Sequence, residues 1–276
     1  MRFGLDVSQH QLTWDELLRR TLHAEEAGFE SVWVFDHFKP LYGDPNGPCA
    51  EGWTLLAALA ASTSRIRMGT LVTGVTYRHP SVLAAEAATV DVISNGRLEI
   101  GIGAAWFEGE HRALGIPFPP TGERVGRLDE ALHVIDALLT KEDVSFRGRY
   151  YTLEHATYRP RPVQQPRPPI WVGAGGPRMI ETAGRRADVW HSFGSPSDLR
   201  ANSRLLDDAA KRAGRDPSAI TRSTSLSLSE PWDDVRKTVE ALAKIGISYL
   251  VVSYPSEGRA RLEEFAERLL PDLARF

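Results

Sequence analysis

Residues 3–35 form the stretch FGLDVSQHQLTWDELLRRTLHAEEAGFESVWVF, whose pattern recurs along the chain. It contains a β-branched and apolar run at Phe3–Val7, a helical pattern that Thr13–Glu16 opens and Gly28 closes, and a second apolar run at Ser31–Phe35. In a capping box, the Thr and Glu side chains satisfy each other's free backbone N–H groups, and a glycine commonly ends the helix. The stretch therefore predicts a strand, a helix and a second strand.

The same alternation continues along the chain. Runs that predict strands lie at residues 66–72, 98–102, 170–172, 188–190, 220–228 and 249–253. Helical patterns lie at residues 51–62, 80–93, 122–140, after Pro177, and at 196–213, 231–245 and 257–270. Together with the first unit these make eight strand–helix units, which a (β/α)₈ barrel requires. The sequence predicts an α/β TIM barrel, with a doubly wound parallel sheet as the alternative.

One segment does not fit the alternation. Residues 141–169 include a proline-rich tract that begins at Pro160, and Tyr150–Leu153 could pair in a small hairpin. We interpret residues 141–169 as an insertion before the fifth strand of a single barrel domain that covers residues 1–276.

The composition argues against several other classes of protein. Lys plus Arg number 33 and Asp plus Glu 36, so the net charge of −3 offers no positive excess for nucleic acid. The single cysteine, Cys49, forms no internal disulfide, and none of the 8 histidines has the spacing of a metal site. The longest apolar run, Leu55–Ala61, is far shorter than the ~18 residues of a membrane span, and an acidic residue interrupts the N-terminus. We expect a cytoplasmic protein that binds no metal, nucleic acid or membrane.

Polar residues follow most of the predicted strands, where a TIM barrel builds its active site. Asp36 and His37 follow the second strand, and an acid beside an imidazole can position and exchange protons near neutral pH. A purely structural pairing of the histidine is an equally good interpretation. Glu108–His111, after the fourth strand, is more simply interpreted as the solvated start of a helix. The residues that could line a substrate pocket are Ser8, His10, Trp53, Trp106, His191 and Tyr254.

Gly173–Gly176 lies between a predicted strand and the helix after Pro177. Glycines let the backbone approach a ligand closely, and the N–H groups at a helix start face an anion. This pattern favours binding of a cofactor phosphate by the loop, and a plain glycine-rich turn is the alternative interpretation. It is not a dinucleotide fingerprint, because the third glycine of G-x-G-x-x-G would fall on Arg178. The G-x-S-x-G pattern of α/β-hydrolases does not occur.

Several motifs, in order along the chain, resemble one family. They are WVFDHF at 33–38, GTLVT at 69–73 followed by YRHP at 77–80, NGRLEIGIG at 95–103 and PIWVG at 169–173. Together they are similar to the luciferase-like family of flavin- and deazaflavin-dependent oxidoreductases, and most similar to the branch that uses coenzyme F420, a deazaflavin. The resemblance implies a barrel, usually a homodimer, with a ring cofactor at the strand mouths. Leu55, Leu56, Ala58 and Leu59 on the helix at 51–62 are a candidate dimer surface.

The resemblance also implies roles for particular residues. His37 would give or take a proton while a hydride moves at carbon 5 of the ring, and Asp36 would contact the ring edge or orient His37. Leu71–Val72 match a cis peptide bond behind the ring, and Gly173–Gly176 would hold the cofactor phosphate. The cofactor-binding residues implied in this way are Asp36, His37, Thr70, Leu71, Val72, Thr73, Gly103, Ala104, Trp106, Gly173, Ala174, Gly175 and Gly176.

Two departures from the F420-dependent glucose-6-phosphate dehydrogenases concern the substrate. Leu41 replaces an active-site tryptophan of those enzymes, and Trp106 stands at the position of their catalytic glutamate. A small apolar or aromatic substrate is therefore favoured over a sugar phosphate. Two alternatives stay open: an FMN-dependent monooxygenase that uses O₂ and reduced flavin from a separate reductase, and a non-catalytic flavin-binding barrel.

Overall fold

The eight predicted strands form a closed parallel barrel in a computed structural model that describes residues 1–276. The strands of the chain are β1 (Arg2–Asp6), β2 (Ser31–Val34), β3 (Arg67–Thr70), β4 (Thr73–Gly74), β5 (Leu98–Gly103), β6 (Val144–Arg147), β7 (Thr152–Ala156), β8 (Ile170–Gly173), β9 (Val189–His191), β10 (Thr221–Leu226) and β11 (Tyr249–Ser253). Their order around the barrel is β3-β2-β1-β11-β10-β9-β8-β5-β4. A further pairing of β3 with β5 closes the ring, and the short β4 continues β3 along β5.

Helices connect the strands on the outside of the barrel. They are α1 (Trp14–Glu26), α2 (Gly52–Ser62), α3 (Pro80–Ser94), α4 (Glu108–Leu114), α5 (Thr121–Thr140), α6 (Pro177–Arg186), α7 (Pro196–Arg212), α8 (Trp232–Lys244), α9 (Arg259–Arg268) and α10 (Leu270–Leu273), with a 3₁₀ turn at Pro217–Ala219. None of them combines the length and the apolar character that crossing a membrane requires. The predicted TIM barrel is confirmed.

Large side chains fill the barrel interior near the beginnings of the strands. Trp33, Trp171 and Tyr249 form a buried cluster in which the Trp33 and Trp171 ring centroids are 4.3 Å apart. The Glu99 carboxylate accepts a hydrogen bond from the Trp171 indole and pairs with Arg67, so the one carboxylate among these rings is compensated. This packed layer leaves the opposite end of the barrel, where the strands finish, for a site.

Four local details differ from the predictions. The capping box on α1 is half formed: Thr13 accepts from the Glu16 N–H, but the Glu16 carboxylate pairs with Arg19 and Arg20. The third strand ends at Thr70, and the Leu71–Val72 peptide bond that follows is cis, as the resemblance implies.

The other two details concern residues between the barrel strands. The hairpin of β6 and β7 is longer than the predicted one. Tyr150 and Tyr151 lie in its turn rather than in a strand. The loop after β5 contains the additional helix α4, which is decisive for the site.

Candidate active site

A cavity of about 410 Å³ lies at the carboxyl ends of the barrel strands. Most of its wall comes from the loops after β2, β3, β5, β8 and β9, and the first turns of α5 and α6 supply the rest. The predicted site residues that line it are His37, Leu71, Val72, Gly103, Ala104, Trp106, Gly173, Ala174, Gly175 and His191. Residues from five different loops therefore meet in one space, as in other TIM barrels.

Three of the remaining predicted residues lie behind the cavity wall. The hydroxyls of Thr70 and Thr73 are 2.9 Å apart, and the Trp53 indole N–H donates to the Thr73 hydroxyl at 2.9 Å. All three side chains are buried. They support the chain on both sides of the Leu71–Val72 bond instead of lining the cavity.

The other predicted residues also lie outside the cavity wall. His10 stacks on Phe35, a wall residue, with ring centroids 4.0 Å apart. Ser8 donates to the Asp6 carboxylate, and the Arg20 guanidinium lies over the ring of Tyr254. Gly176 directly precedes α6, one residue beyond the wall.

His37 is held by a carboxylate whose sequence context predicts an exposed helix start. Glu110 on α4 is only 1% exposed, and its Oε2 lies 2.9 Å from His37 Nδ1. The Tyr77 hydroxyl donates to the same oxygen at 2.5 Å, and the Phe38 and Lys39 N–H groups donate to Oε1. The interpretation of Glu108–His111 as solvated is wrong for Glu110 and for His111, which are both buried.

The surroundings keep Glu110 ionised. Burial by itself would raise the pKa of Glu110, but hydrogen bonds from His37, Tyr77 and the Phe38 N–H outweigh it and lower that pKa. Burial and the hydrogen bond to Glu110 raise the pKa of Tyr77, so its hydroxyl stays protonated and donates. A carboxylate on Nδ1 makes that nitrogen the donor and leaves Nε2 of His37 for a ligand.

Asp36 pairs with an arginine rather than with His37. Its fully buried carboxylate pairs with both terminal nitrogens of Arg78, at 2.6 and 3.2 Å. Arg78 also contacts the carboxylates of Glu51 and Glu86. Burial raises the pKa of Asp36, and Arg78 opposes that rise. Asp36 therefore fixes the end of β2 through Arg78 and does not orient the His37 ring.

The cavity wall after β9 carries polar groups without hydrogen-bond partners. His191, at the end of β9, lies 3.0 Å from the Ser223 hydroxyl through Nδ1, whereas its buried Nε2 has no hydrogen-bond partner. The buried Ser192 hydroxyl also has none. Burial lowers the pKa of His191 to about 4, so the imidazole is neutral at pH 7.

The backbone after β5 and β8 forms a narrow cradle around Val72. A Cβ added at Gly103 would lie 2.8 Å from a Val72 methyl, and one added at Gly173 would lie 3.2 Å from the same methyl. Further along the loop, a Cβ at Gly175 or Gly176 would meet no atom within 4 Å. No side chain caps the start of α6, so its first N–H groups are free for an anion.

Arg124 supplies positive charge to the cavity. This buried residue lies in the first turns of α5 and lines the wall. Its guanidinium donates to the carbonyl oxygens of Ala104 and Pro119 and to the Thr121 hydroxyl, with no carboxylate among its partners. Its sequence context carries no signal for a site, because Arg124 follows a proline pair at the start of a helix and not the end of a strand.

The fold and site together define a TIM-barrel protein whose cavity combines a histidine–glutamate pair with a glycine-rich loop at an uncapped helix start. The family model described as "Luciferase-like monooxygenase" matches residues 1–271. The chain belongs to this family, and the family predicted from its motifs is confirmed. The family and fold support an oxidoreductase.

Among curated relatives, an F420-dependent glucose-6-phosphate dehydrogenase of Kineococcus radiotolerans is 38% identical over 83% of this chain and 68% of its own length. An F420-dependent hydroxymycolic acid dehydrogenase of Mycobacterium tuberculosis is 34% identical over 81% of this chain and 61% of its own length. The chain thus spans about two thirds of the length of these relatives.

Solved structures confirm the fold over the whole chain. An F420-dependent secondary alcohol dehydrogenase in complex with an F420–acetone adduct superposes with a TM-score of 0.87, at 22% identity, over 100% of this chain and 99% of that chain. The F420-dependent tetrahydromethanopterin reductase of Methanopyrus kandleri gives a TM-score of 0.85, at 21% identity, over 99% of both chains.

Proposed function

We propose that this protein is an F420-dependent oxidoreductase that transfers a hydride between the deazaflavin and a small organic substrate. The observation that carries the proposal is the His37–Glu110 pair on the wall of the glycine-cradled cavity. The names of the curated relatives support F420 as the cofactor. The sequence motifs support the same branch of the family.

The residues present fit such a cofactor. The Gly173–Gly176 loop and the free N–H groups of α6 would hold its phosphate, and Arg124 would balance negative charge. The narrow floor at Val72, Gly103 and Gly173 suits a flat ring. When bound, the deazaflavin supplies a two-electron hydride carrier that reacts poorly with oxygen.

His37 exchanges the proton that accompanies hydride transfer. An alcohol that becomes a carbonyl loses a hydride from carbon and a proton from oxygen, and Nε2 of His37 accepts that proton. Glu110 holds the ring through Nδ1 and stabilises the imidazolium. In the reverse direction the same nitrogen returns the proton.

The lining favours an apolar or aromatic substrate. Trp106 and Phe193 are 66% and 70% exposed and line the cavity, so the wall keeps large apolar rings in contact with solvent. Arg124 is the only Lys, Arg, Asp or Glu side chain in the lining, and the proposed cofactor uses its charge. A sugar phosphate would find no second cation there.

We also propose a cytoplasmic homodimer. Leu55, Leu56 and Leu59 of the expected dimer surface are buried against the barrel, so they cannot form it. Helix α3 instead exposes apolar side chains at Val82 and near its end at Ile93. A solution mass of twice the 30.6 kDa chain would support the homodimer, and a single-chain mass would contradict it.

Titration of the purified apoprotein with F420 and with FMN tests the cofactor. We expect F420 to bind at least about tenfold more tightly, and reduction of bound F420 by a panel of alcohols to need no oxygen. Tighter FMN binding together with oxygen consumption would replace the proposal with the monooxygenase. Tight binding without turnover of any substrate, in either direction, would indicate the non-catalytic barrel.

A further inference from the structure

Two buried polar atoms at the cavity have no role in the mechanism above. His191 is 2% exposed and lines the cavity, and its Nε2 has no partner in the protein. The adjacent Ser192 hydroxyl is equally buried and equally unpaired. A buried donor or acceptor without a partner costs about 1–3 kcal/mol, so two neighbouring ones indicate that a ligand completes them.

The barrel places these atoms directly across from the proton-exchanging histidine. Strand β9 is four positions from β2 in either direction around the ring, so His191 and His37 line opposite walls. Gly173 pairs with His191 across β8 and β9, and the Val72 methyls lie against Gly173. His191 is therefore beside the floor on which a flat ring would rest.

We infer that His191 Nε2 and the Ser192 hydroxyl hydrogen-bond an oxygen on the edge of the bound deazaflavin ring. The inference rests on the proposed function. A substrate oxygen is less suitable, because the reacting oxygen must reach His37 on the far wall. Since the His191 imidazole is neutral, it can donate or accept one hydrogen bond without bringing charge into the cavity.

Two ring oxygens have this chemistry. The deazaflavin of F420 carries a hydroxyl at carbon 8, where a flavin carries a methyl, and both rings have a pyrimidine edge with two carbonyls. If the partner is the hydroxyl at carbon 8, these two side chains also discriminate F420 from FMN. If it is a pyrimidine carbonyl, they contribute to binding of either ring.

The test measures the Kd of the apoprotein for F420 by fluorescence quenching, without turnover. Ser192→Ala removes a hydroxyl that bonds nothing in the protein, so we expect an unchanged or higher Tm and a Kd that rises about 3- to 10-fold. His191→Phe should raise the Kd by a similar or larger factor, and His191→Gln, which keeps polar atoms, should restore part of the affinity. His155→Phe, on the exposed hairpin, is the matched control and should leave the Kd unchanged.

The ring edge is identified with two synthetic ligands, the 8-hydroxy-5-deazariboflavin and the 7,8-dimethyl-5-deazariboflavin. Loss of affinity in Ser192→Ala for the hydroxylated ring alone assigns the oxygen at carbon 8, and equal losses assign a pyrimidine carbonyl. An unchanged Kd for F420 in both Ser192→Ala and His191→Phe would overturn the inference. Failure of the wild-type protein to bind F420 would instead overturn the proposed function.

Discussion

The two walls of the cavity differ in how their polar groups are satisfied. On the wall after β2, Asp36 is paired with Arg78, and His37 is bonded to Glu110. On the wall after β9, His191 and Ser192 each keep a polar atom without a partner. The first wall is organised before any ligand arrives, and the second is completed by the ligand.

Because of this difference, the two walls should contribute to different properties of the protein. A fixed charge and a fixed imidazole avoid reorganisation during the reaction, so the β2 wall should govern turnover and stability. Unpaired groups cost stability until a ligand arrives, so the β9 wall should govern binding and acid sensitivity. Variants on each wall test this difference.

The largest effect is expected from His37→Ala. Loss of the proton-exchanging imidazole should lower kcat by about 10²- to 10⁴-fold, because general acid–base catalysis contributes that much. The Kd for F420 should change by less than about threefold. Steady-state kinetics and titration measure both, with the exposed His155→Ala as control. Undiminished kcat would remove His37 from the proposed mechanism.

Arg78→Met tests the charge pairing of the same wall. The substitution leaves the Asp36 carboxylate buried without its cation, which should lower the free energy of unfolding by about 3–5 kcal/mol at pH 7. Urea denaturation measures the loss, and Arg159→Met, in an exposed pair with Glu142, should change stability little. A loss no larger than that control would show that Asp36 is held by other contacts.

The β9 wall predicts acid sensitivity. The pKa of His191 is about 4 in the folded protein against 6.5 for the unperturbed group, so the unfolded state binds more protons between these values. Stability should therefore fall as the pH drops from 6.5 to 4, and His191 should account for about 3 kcal/mol of the loss. Urea denaturation across this range should show a flatter profile for His191→Phe. Parallel profiles would mean that His191 is protonated as readily in the folded state.

Glu110→Gln should have the smallest effect. It keeps the shape of the side chain and removes the charge that stabilises an imidazolium on His37. Because a hydrogen bond to a charged group contributes about 1.5–3 kcal/mol, kcat should fall roughly 10- to 100-fold. The matched control is Glu108→Gln on the same helix, since the exposed Glu108 carboxylate pairs with the exposed Arg112 and does not contact His37. Equal kcat values for the two variants would contradict the assigned role of Glu110.

The barrel was predictable because its signal is local. The alternation of short apolar runs with amphipathic helices follows from the two periods of backbone structure, and no distant contact is needed to recognise it. The loops at the carboxyl ends of the strands were predictable for the same reason, since they directly follow the strands. His37 and the Gly173–Gly176 loop could be singled out in this way.

The partners of those residues were not predictable, because they come from distant parts of the chain. Glu110 is 73 residues from His37, and its own sequence context resembles an exposed helix. Position after a strand also does not fix where a side chain points: His10 follows β1, but it stacks on Phe35 outside the cavity wall. Arg124 reaches the cavity from a helix, so the expectation that site residues follow strands does not cover it.

The open space at Gly176 provides a place for an optical reporter. A Cβ there meets no atom within 4 Å, and the backbone is extended with φ −92°. Burial raises the pKa of Cys49, the only native cysteine, to about 11, so that thiol reacts slowly with maleimides near neutral pH. Gly176→Cys should therefore accept one fluorophore at the end of the Gly173–Gly176 loop while Cys49 stays in place. Ligand arrival could then be followed in real time, independently of any reaction.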